Sequence, residues 1–377
     1  MEEGTTPSKG LPNTDFPKDV AAMANRGGGV IVYGITENQK AATGHHDIGE
    51  VDEAYERTLR SAAVTAISPP VFGLGVHRLG DPDQRALAVV VPASVDGPHL
   101  IYRDDRFGAP VRNDADTVWM RERQIEAMYR ARFEEQRNTH EALDSLYREL
   151  AAGRPIAERA WMIGVARPRI LAADRRRLTH GDATSILQAA RGAAITYYKD
   201  PNHPVPLDDL DTHNPRPGLR RWVSRSTVDT DRGRSKEIWA SVHGDGSVSL
   251  AAAIGGHPIT RDEFAPGSRL RSDRMERFTA SLMALLSTSA EHHGTRDYEV
   301  KIGVEWTGDE PLIIETVDGN GYPYDEGSIP LPRYAPVMAS VRTDIGESDF
   351  LDQVRDLATD VVNQGGVQNL QAIKARE

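Results

Sequence analysis

The sequence predicts an α+β protein built from two folded domains and a connecting helix. Its 377 residues suggest two domains more than one. Helix and strand patterns follow one another without the regular alternation that is typical of a parallel α/β sheet. The helical pattern of the middle region ends at Gly153-Arg154-Pro155, which marks a domain boundary. We therefore expect an N-terminal α/β domain, a connecting helix and a second α+β domain.

The composition is that of a soluble globular protein, with 39% hydrophobic and 27% charged residues. No apolar run has the length needed to cross a bilayer, and the first residues, MEEGTTPSKG, lack the basic and apolar parts of a secretory signal. The absence of cysteine excludes disulfides and thiolate ligands. We expect a cytoplasmic protein with no membrane partner. The formal net charge of −11 opposes nucleic-acid binding unless Lys and Arg form a local patch.

The first domain is expected over residues 16–133, after a polar segment, residues 1–15, that we expect to be disordered. A helix begins near Pro17, because proline suits the first helical turn. The β-branched apolar run over 30–35 predicts a buried strand, and the periodicity over 51–66 predicts a helix. The remaining predicted elements are strands at 71–79, 86–92, 99–102, 109–112 and 117–120 and a closing helix at 121–132.

The connecting helix is expected over 134–153, and the second domain, of unassigned role, over 154–377. In the second domain Gly244-Asp245-Gly246 predicts a tight hairpin turn. The predicted elements are strands at 236–243, 247–254, 298–306, 312–317 and 335–341 and helices at 275–290 and 350–362.

A run of three glycines, Gly27 to Gly29, lies between the first helix and the first strand. Glycines can bring a backbone close to a phosphate, but in the common phosphate loops the strand comes first and a helix N-terminus faces the anion. Here the helix precedes the glycines, so the negative end of its dipole faces them. The order therefore favours a helix stop and a tight turn into a strand over an anion cradle.

The same segment, FPKDVAAMANRGGGVIVYGITEN, resembles the signature of the Schlafen AlbA-like domain family. Three later segments agree in order: SPPV before the central hairpin, ALAVVVPAS at its second strand, and GPHLIYRDDRFGAPVR after it. The closing helix, with Ile125 and Tyr129, is similar to the family's terminal helix. The resemblance covers about a third of the chain, and several ordered motifs are more specific than any one of them. The matching residues of the first segment are Lys18, Asp19, Val20, Ala22, Met23, Ala24, Asn25, Gly28, Gly29, Gly34, Ile35 and Glu37.

The resemblance implies nucleic-acid binding, with DNA expected more than RNA and a bacterial-type DNA-binding transcriptional regulator as the first hypothesis. Arginines interleaved with Tyr102 and Phe107 suit base stacking combined with phosphate contact. An alternative is that these arginines form intramolecular pairs on a solvated surface. Homo-oligomers are an open expectation. The candidate nucleic-acid-binding residues are Lys18, Arg26, Arg103, Arg106 and Arg112.

Two other functions stay open. Nuclease-active Schlafens hold a divalent metal with acidic residues of an N-terminal strand and one near the position of Glu37, and the N-terminal residues here do not align with that strand. A lone carboxylate does not hold a catalytic metal, so the first expectation is a protein with no catalytic residue and no cofactor. The alternative is a Mg- or Mn-dependent endoribonuclease with Glu37 as a metal ligand. A non-catalytic assembly or interaction protein is the third hypothesis, and the net charge of −11 favours it.

A second basic stretch follows the connecting helix. It contains few acidic residues, and the sequence pattern assigns it to no particular element of the second domain. Its members are Arg154, Arg159, Arg167, Arg169, Arg175, Arg176 and Arg177.

Overall fold

The chain divides into two compact units, residues 1–138 (the N-terminal unit) and residues 139–377 (the C-terminal unit). The computed structural model describes residues 14–38, 41–103, 106–113, 116–171, 177–201, 206–226, 237–260, 263–318 and 321–375. The segment 1–13, most of the region expected to be disordered, lies outside the described residues. Among the described residues, no helix has the length and apolar character needed to span a membrane.

Within the described residues, the N-terminal unit contains two helices, the start of a third, and small antiparallel sheets. The order along the chain is α1 (Phe16–Ala24), β1 (Gly29–Tyr33), β2 (Ile35–Asn38), β3 (Ala41–His45), α2 (Glu53–Thr65), β4 (Ile67–Ser68), β5 (Gly75–Leu79), β6 (Ala86–Val91), β7 (Leu100–Arg103), β8 (Arg106–Gly108), β9 (Pro110–Asn113), β10 (Asp116–Trp119) and α3 (Glu122–Ala151). Its described strands pair as β1-β6-β5, β4-β7-β8, β2-β3 and β10-β9.

The core of the N-terminal unit lies where α1 and α2 pack on the central sheet. Phe16, Val20, Leu59, Leu87 and Val89 are almost fully buried there. Strand β6 alternates between buried and half-buried residues, so one face of the sheet supplies the core. This arrangement leaves the later strands, β7 to β10, at the surface with several exposed aromatic side chains.

In the part of the chain that the structure describes, the C-terminal unit holds the end of α3, a large sheet and three further α-helices. Its elements are β11 (Trp161–Pro168), α4 (His180–Thr196), β12 (Arg216–Gly218), β13 (Arg221–Arg225), β14 (Ile238–His243), β15 (Val248–Ala253), β16 (Arg269–Arg271), α5 (Ser272–His293), β17 (Asp297–Glu305), β18 (Ile313–Val317), β19 (Pro323–Tyr324), β20 (Val337–Arg342) and α6 (Glu347–Asn363).

The large sheet is antiparallel and has the order β12-β13-β14-β15-β11-β17-β20. One face packs on α4, α5 and α6, and the other face packs on the end of α3 through Leu143 and Tyr147. Because both faces are covered, β15 is buried at every residue and β11 at all but Arg167. Continuous apolar runs in these strands are therefore the expected sequence pattern.

Helix α5 lies in the centre of this core and contains a buried acid. The carboxylate of Glu276 accepts hydrogen bonds from the backbone N–H groups of Gln371 at 2.9 Å and Ala372 at 2.7 Å, with Ile373 at 3.4 Å. Burial raises the pKa of Glu276, whereas the hydrogen bonds from these backbone N–H groups lower it. The carboxylate thus holds the segment after α6 against the core.

The structure confirms the α+β class and the N-terminal α/β domain, and it differs from the sequence predictions in particular elements. The two helices predicted over 121–132 and 134–153 are one continuous helix, α3, because nothing between them breaks the pattern. The strand predicted over 30–35 stops at Tyr33, since Gly34 adopts a positive φ of 97° and separates β1 from β2, which begins at Ile35. The elements that the sequence did not predict include the hairpin β2–β3, the strands β8 and β11, and α4.

Candidate nucleic-acid interface

The residue that ends α1, Asn25, ties this helix to the strands that follow the central hairpin. Its Nδ2 atom donates to the carbonyls of His99 at 3.0 Å and Pro110 at 2.8 Å, and its Oδ1 atom accepts from the His99 N–H at 2.7 Å. The His99 ring is buried, with Nδ1 2.7 Å from the Pro69 carbonyl, and burial lowers the pKa of His99. Asn25 therefore fixes the start of β7 and of β9.

The glycine turn brings two backbones together. Gly28 has a φ of 94°, and a Cβ atom at this position would lie 2.8 Å from the Val91 carbonyl oxygen and 2.9 Å from the Ala93 nitrogen. The Gly28 N–H donates to the Met23 carbonyl at 2.8 Å and so caps α1. The space beside Gly28 is filled by the end of β6, which confirms the expectation of a helix stop and a tight turn.

The hairpin β7–β8 carries an aromatic pair that faces solvent. Tyr102 and Phe107 are directly opposite each other in the strand register, with ring centroids 5.7 Å apart. Tyr102 is 56% exposed and Phe107 is 63% exposed. The next register pair toward the turn is Arg103 opposite Arg106, so two predicted phosphate contacts share this hairpin with the aromatic pair.

A third exposed aromatic residue, Trp119, lies beside the same hairpin. It is 55% exposed, and a Cβ atom on Gly108 would come within 2.7 Å of its ring. Successive strand residues point to opposite sides, so Trp119 covers the side of β8 away from Phe107. The candidate residues predicted from the sequence do not include Trp119. The signal that could have found it is a large aromatic residue next to acidic and polar ones in a short strand.

The other predicted cations have different surroundings. Arg26 is exposed at the end of α1, and its guanidinium has no partner among the residues that the structure describes. Lys18 pairs with Asp15 at 2.7 Å. Arg112 lies 3.5 Å from the Asp19 carboxylate and donates to the Thr117 hydroxyl at 3.0 Å.

The Arg112 contacts form a small polar network that joins α1 to the hairpin β9–β10. The Thr117 hydroxyl in turn donates to Asp19 at 2.9 Å, so all three side chains are engaged. Arg112 and Asp19 are each about three-quarters buried, since their side chains are 25% and 22% exposed. A phosphate would have to compete with Asp19 for Arg112, whereas Arg26 has no such competitor in the described part of the chain.

Glu37 lies on β2 at a register shift between Thr36 and Glu37, and its side chain is half-buried. Within the described residues, no group of three or more His, Asp and Glu side chains could hold a metal ion. Glu2 and Glu3, the acids nearest the start of the sequence, lie outside those residues. In the part of the chain that the structure describes, Glu37 therefore does not belong to a group of three or more such side chains.

Residues 4–123 match the family model described as Schlafen, AlbA_2. The N-terminal third of the chain is a Schlafen AlbA-like domain. This family suggests a nucleic-acid-related function for the domain. A comparison with curated proteins gave no match.

Among solved structures, the chain is similar to the crystal structure of the DIP2311 protein from Corynebacterium diphtheriae. The identity is 20% and the TM-score is 0.25, and the match covers 51% of this chain and 26% of that chain. The match thus spans about a quarter of the length of that solved chain. A TM-score this low carries no argument about fold or function.

Proposed function

We propose that the Schlafen AlbA-like domain binds nucleic acid through the hairpin β7–β8 and through Arg26, which follows the Asn25 that bonds His99 just before β7. The observation that carries the proposal is the solvent-facing pair Tyr102 and Phe107, placed next to the register pair Arg103 and Arg106. Exposed aromatic rings offer faces on which bases stack, and each such contact contributes about 1–3 kcal/mol. Nearby arginines supply the phosphate contacts that position the backbone.

The specific role that we propose is DNA binding in the control of transcription. Its support is the pairing of a domain from a nucleic-acid-related family with a separate C-terminal unit that has its own large core. Such a unit gives a regulator a second surface for a ligand or a partner. The chain carries a net charge of −11, so binding depends on a local basic surface and not on the overall field.

The test is a fluorescence anisotropy titration of the full chain with labelled single- and double-stranded DNA and RNA of one sequence, repeated across a salt series. We expect saturable binding that weakens steeply with salt, with tighter binding to DNA than to RNA. The variant Phe107→Ala should weaken binding about tenfold, because one stacking contact is lost. The exposed position of Phe107 means that this change should leave folding intact.

The matched control is Phe133→Ala. Phe133 is 62% exposed on the same unit, where it belongs to α3 and stacks on Tyr129. Its removal should leave affinity unchanged. Equal losses in both variants would reject the hairpin as the interface, and the absence of binding to any of the nucleic acids at low salt would reject the function. Tighter binding to RNA would remove the proposed role in transcription but keep the interface.

A further inference from the structure

The C-terminal unit contains a large open cleft of its own. Its volume is about 1140 Å³, slightly above the range of about 300–1,000 Å³ that is usual for sites that hold a small organic ligand. The walls come from residues of α3 between Ala142 and Glu149, the end of β11, residues 177–178, the tip of the hairpin β12–β13, and the turn between β14 and β15. Every lining residue belongs to the C-terminal unit, so the cleft is distinct from the nucleic-acid interface.

Among the described residues, four arginines line this cleft: Arg167, Arg177, Arg220 and Arg221. The Arg221 guanidinium pairs with Glu149 at 2.7 Å. The side chains of the other three have no ion-pair or hydrogen-bond partner among the described residues. Asp245, the second acid of the cleft, accepts a hydrogen bond from the Ser247 N–H at 3.0 Å. Unpaired positive charge is therefore concentrated in one concave site of an acidic chain.

The cleft also has a large apolar wall, which a site for a bare inorganic ion would not need. Trp222 contributes its ring, held in place by a hydrogen bond from its Nε1 atom to the Leu178 carbonyl at 2.8 Å. The edge of His180 meets the Trp222 ring with centroids 5.5 Å apart. Leu219, at the hairpin tip, is 88% exposed. The larger apolar lining residues are Leu146, Leu171, Leu178, Pro217, Leu219 and Trp222.

Beyond the proposed nucleic-acid binding, we propose that this cleft binds a small organic phosphate whose uncharged part is aromatic or apolar. Guanidinium groups bind phosphate oxygens through paired, charge-assisted hydrogen bonds. Several arginines in one site therefore suit a ligand with a doubly charged phosphate better than a ligand with one carboxylate. The ring or apolar body of the ligand would lie against Trp222 and the leucines. Burial holds the pKa of His243 in the cleft wall well below its usual range, so this neighbour adds no charge near pH 7.

The test is isothermal titration calorimetry of the full chain with phenyl phosphate, adenosine monophosphate, inorganic phosphate and adenosine. We expect one molecule of either organic phosphate to bind per chain, with inorganic phosphate and adenosine each binding at least tenfold more weakly. Arg167→Gln should weaken the binding of the organic phosphates at least tenfold. The matched control is Arg216→Gln, an exposed arginine on β12 that does not line the cleft, and it should change the affinity less than twofold.

Circular dichroism of Arg167→Gln checks its fold, and Arg177→Gln, at an exposed cleft position, gives a second variant with the same expected direction. The absence of saturable binding by either organic phosphate would overturn the proposal, as would equal losses in Arg167→Gln and Arg216→Gln. Oligonucleotide binding that is lost with Arg167→Gln would replace the small ligand by a nucleic acid and so overturn it too. Because the variants lie outside the N-terminal unit, a failure here is distinguishable from a failure of the proposed interface.

Discussion

The two units use the same types of residue for different purposes. In the C-terminal unit Trp161 and Phe278 are each 1% exposed and pack on opposite faces of one sheet. In the N-terminal unit Phe107 and Trp119 are 63% and 55% exposed. The C-terminal unit thus buries these two large rings on either side of its sheet, whereas the N-terminal unit keeps two large rings at the surface, where the proposed interface lies.

The largest expected effect compares one substitution in both units. Phe278→Ala removes a fully buried ring next to Gly164 and Leu282 and should lower the free energy of unfolding of the C-terminal unit by about 3–5 kcal/mol. Phe107→Ala removes an exposed ring and should change the stability of the N-terminal unit by less than about 0.5 kcal/mol.

Hydrogen exchange read by mass spectrometry assigns each change to peptides of one unit. The comparison between the units breaks down if Phe107→Ala speeds exchange throughout the N-terminal unit, because the exposed ring would then be part of its core. It also breaks down if Phe278→Ala leaves exchange in the C-terminal unit unchanged.

A second prediction concerns the close backbone contacts of the N-terminal unit. Gly28→Ala places a methyl group 2.8 Å from the Val91 carbonyl oxygen at a positive φ, and it should destabilise this unit by about 3 kcal/mol. Gly27 is the matched control, since it has a φ of 105° and a methyl group there would have no neighbouring atom within 4 Å. Gly27→Ala should cost about 1–2 kcal/mol through backbone strain alone. Thermal unfolding measures the stability of both variants. Equal losses of stability would show that the close contact of residue 28 with β6 does not contribute to stability.

The last expected effect is a pH dependence in the C-terminal unit. His257 is 2% exposed, with Nε2 3.6 Å from the Glu315 carboxylate, and burial, with Arg274 and Arg271 adding to it, lowers the pKa of His257 to about 4. In the unfolded chain the His257 ring takes up a proton near pH 6.5, whereas in the folded chain it does so only near pH 4. The contribution of His257 to the free energy of unfolding is therefore complete above pH 6.5 and is lost as the pH falls toward 4. A shift of the pKa from 6.5 to about 4 corresponds to a loss of up to about 3 kcal/mol over this range.

The measurement is urea unfolding of the wild type and of His257→Gln in a series of buffers from about pH 7 to about pH 4. The wild type should lose more stability than the variant over this range. His45→Gln, at an exposed position of β3, is the control and should follow the wild type. Parallel curves for all three proteins would show that His257 does not titrate with unfolding.

The elements that could be predicted correctly from the sequence are those whose residue pattern lies within one short segment of the chain. The hairpin β14–β15 follows from the turn Gly244-Asp245-Gly246, and α5 follows from its repeated apolar residues. Strand β11 was not predicted because it is buried on both faces and shows no alternation, and the arginines around it indicated a basic stretch instead. Burial on two faces is a property of the whole sheet and cannot be seen in one strand.

The candidate site was predictable in part for the same reason. The sequence placed Tyr102, Phe107 and their arginines together because they are neighbours along the chain. It gave no means to see that Arg112 pairs with Asp19, since these residues meet through the tertiary fold. In the second basic stretch, Arg154 and Arg159 lie over tryptophan rings, Arg167 and Arg177 line the cleft, and Arg175 and Arg176 lie outside the described residues.

The buried carboxylate of Glu276 has a consequence for the order of events during synthesis. Its hydrogen-bond donors are backbone amides 95 to 97 residues later in the chain. While a ribosome is still translating the residues after α5, the acid has no access to these donors, and leaving a buried charge without them is costly. The C-terminal unit therefore reaches its final packing only after residue 373 has been added and has emerged, so this unit completes its folding after translation of its sequence.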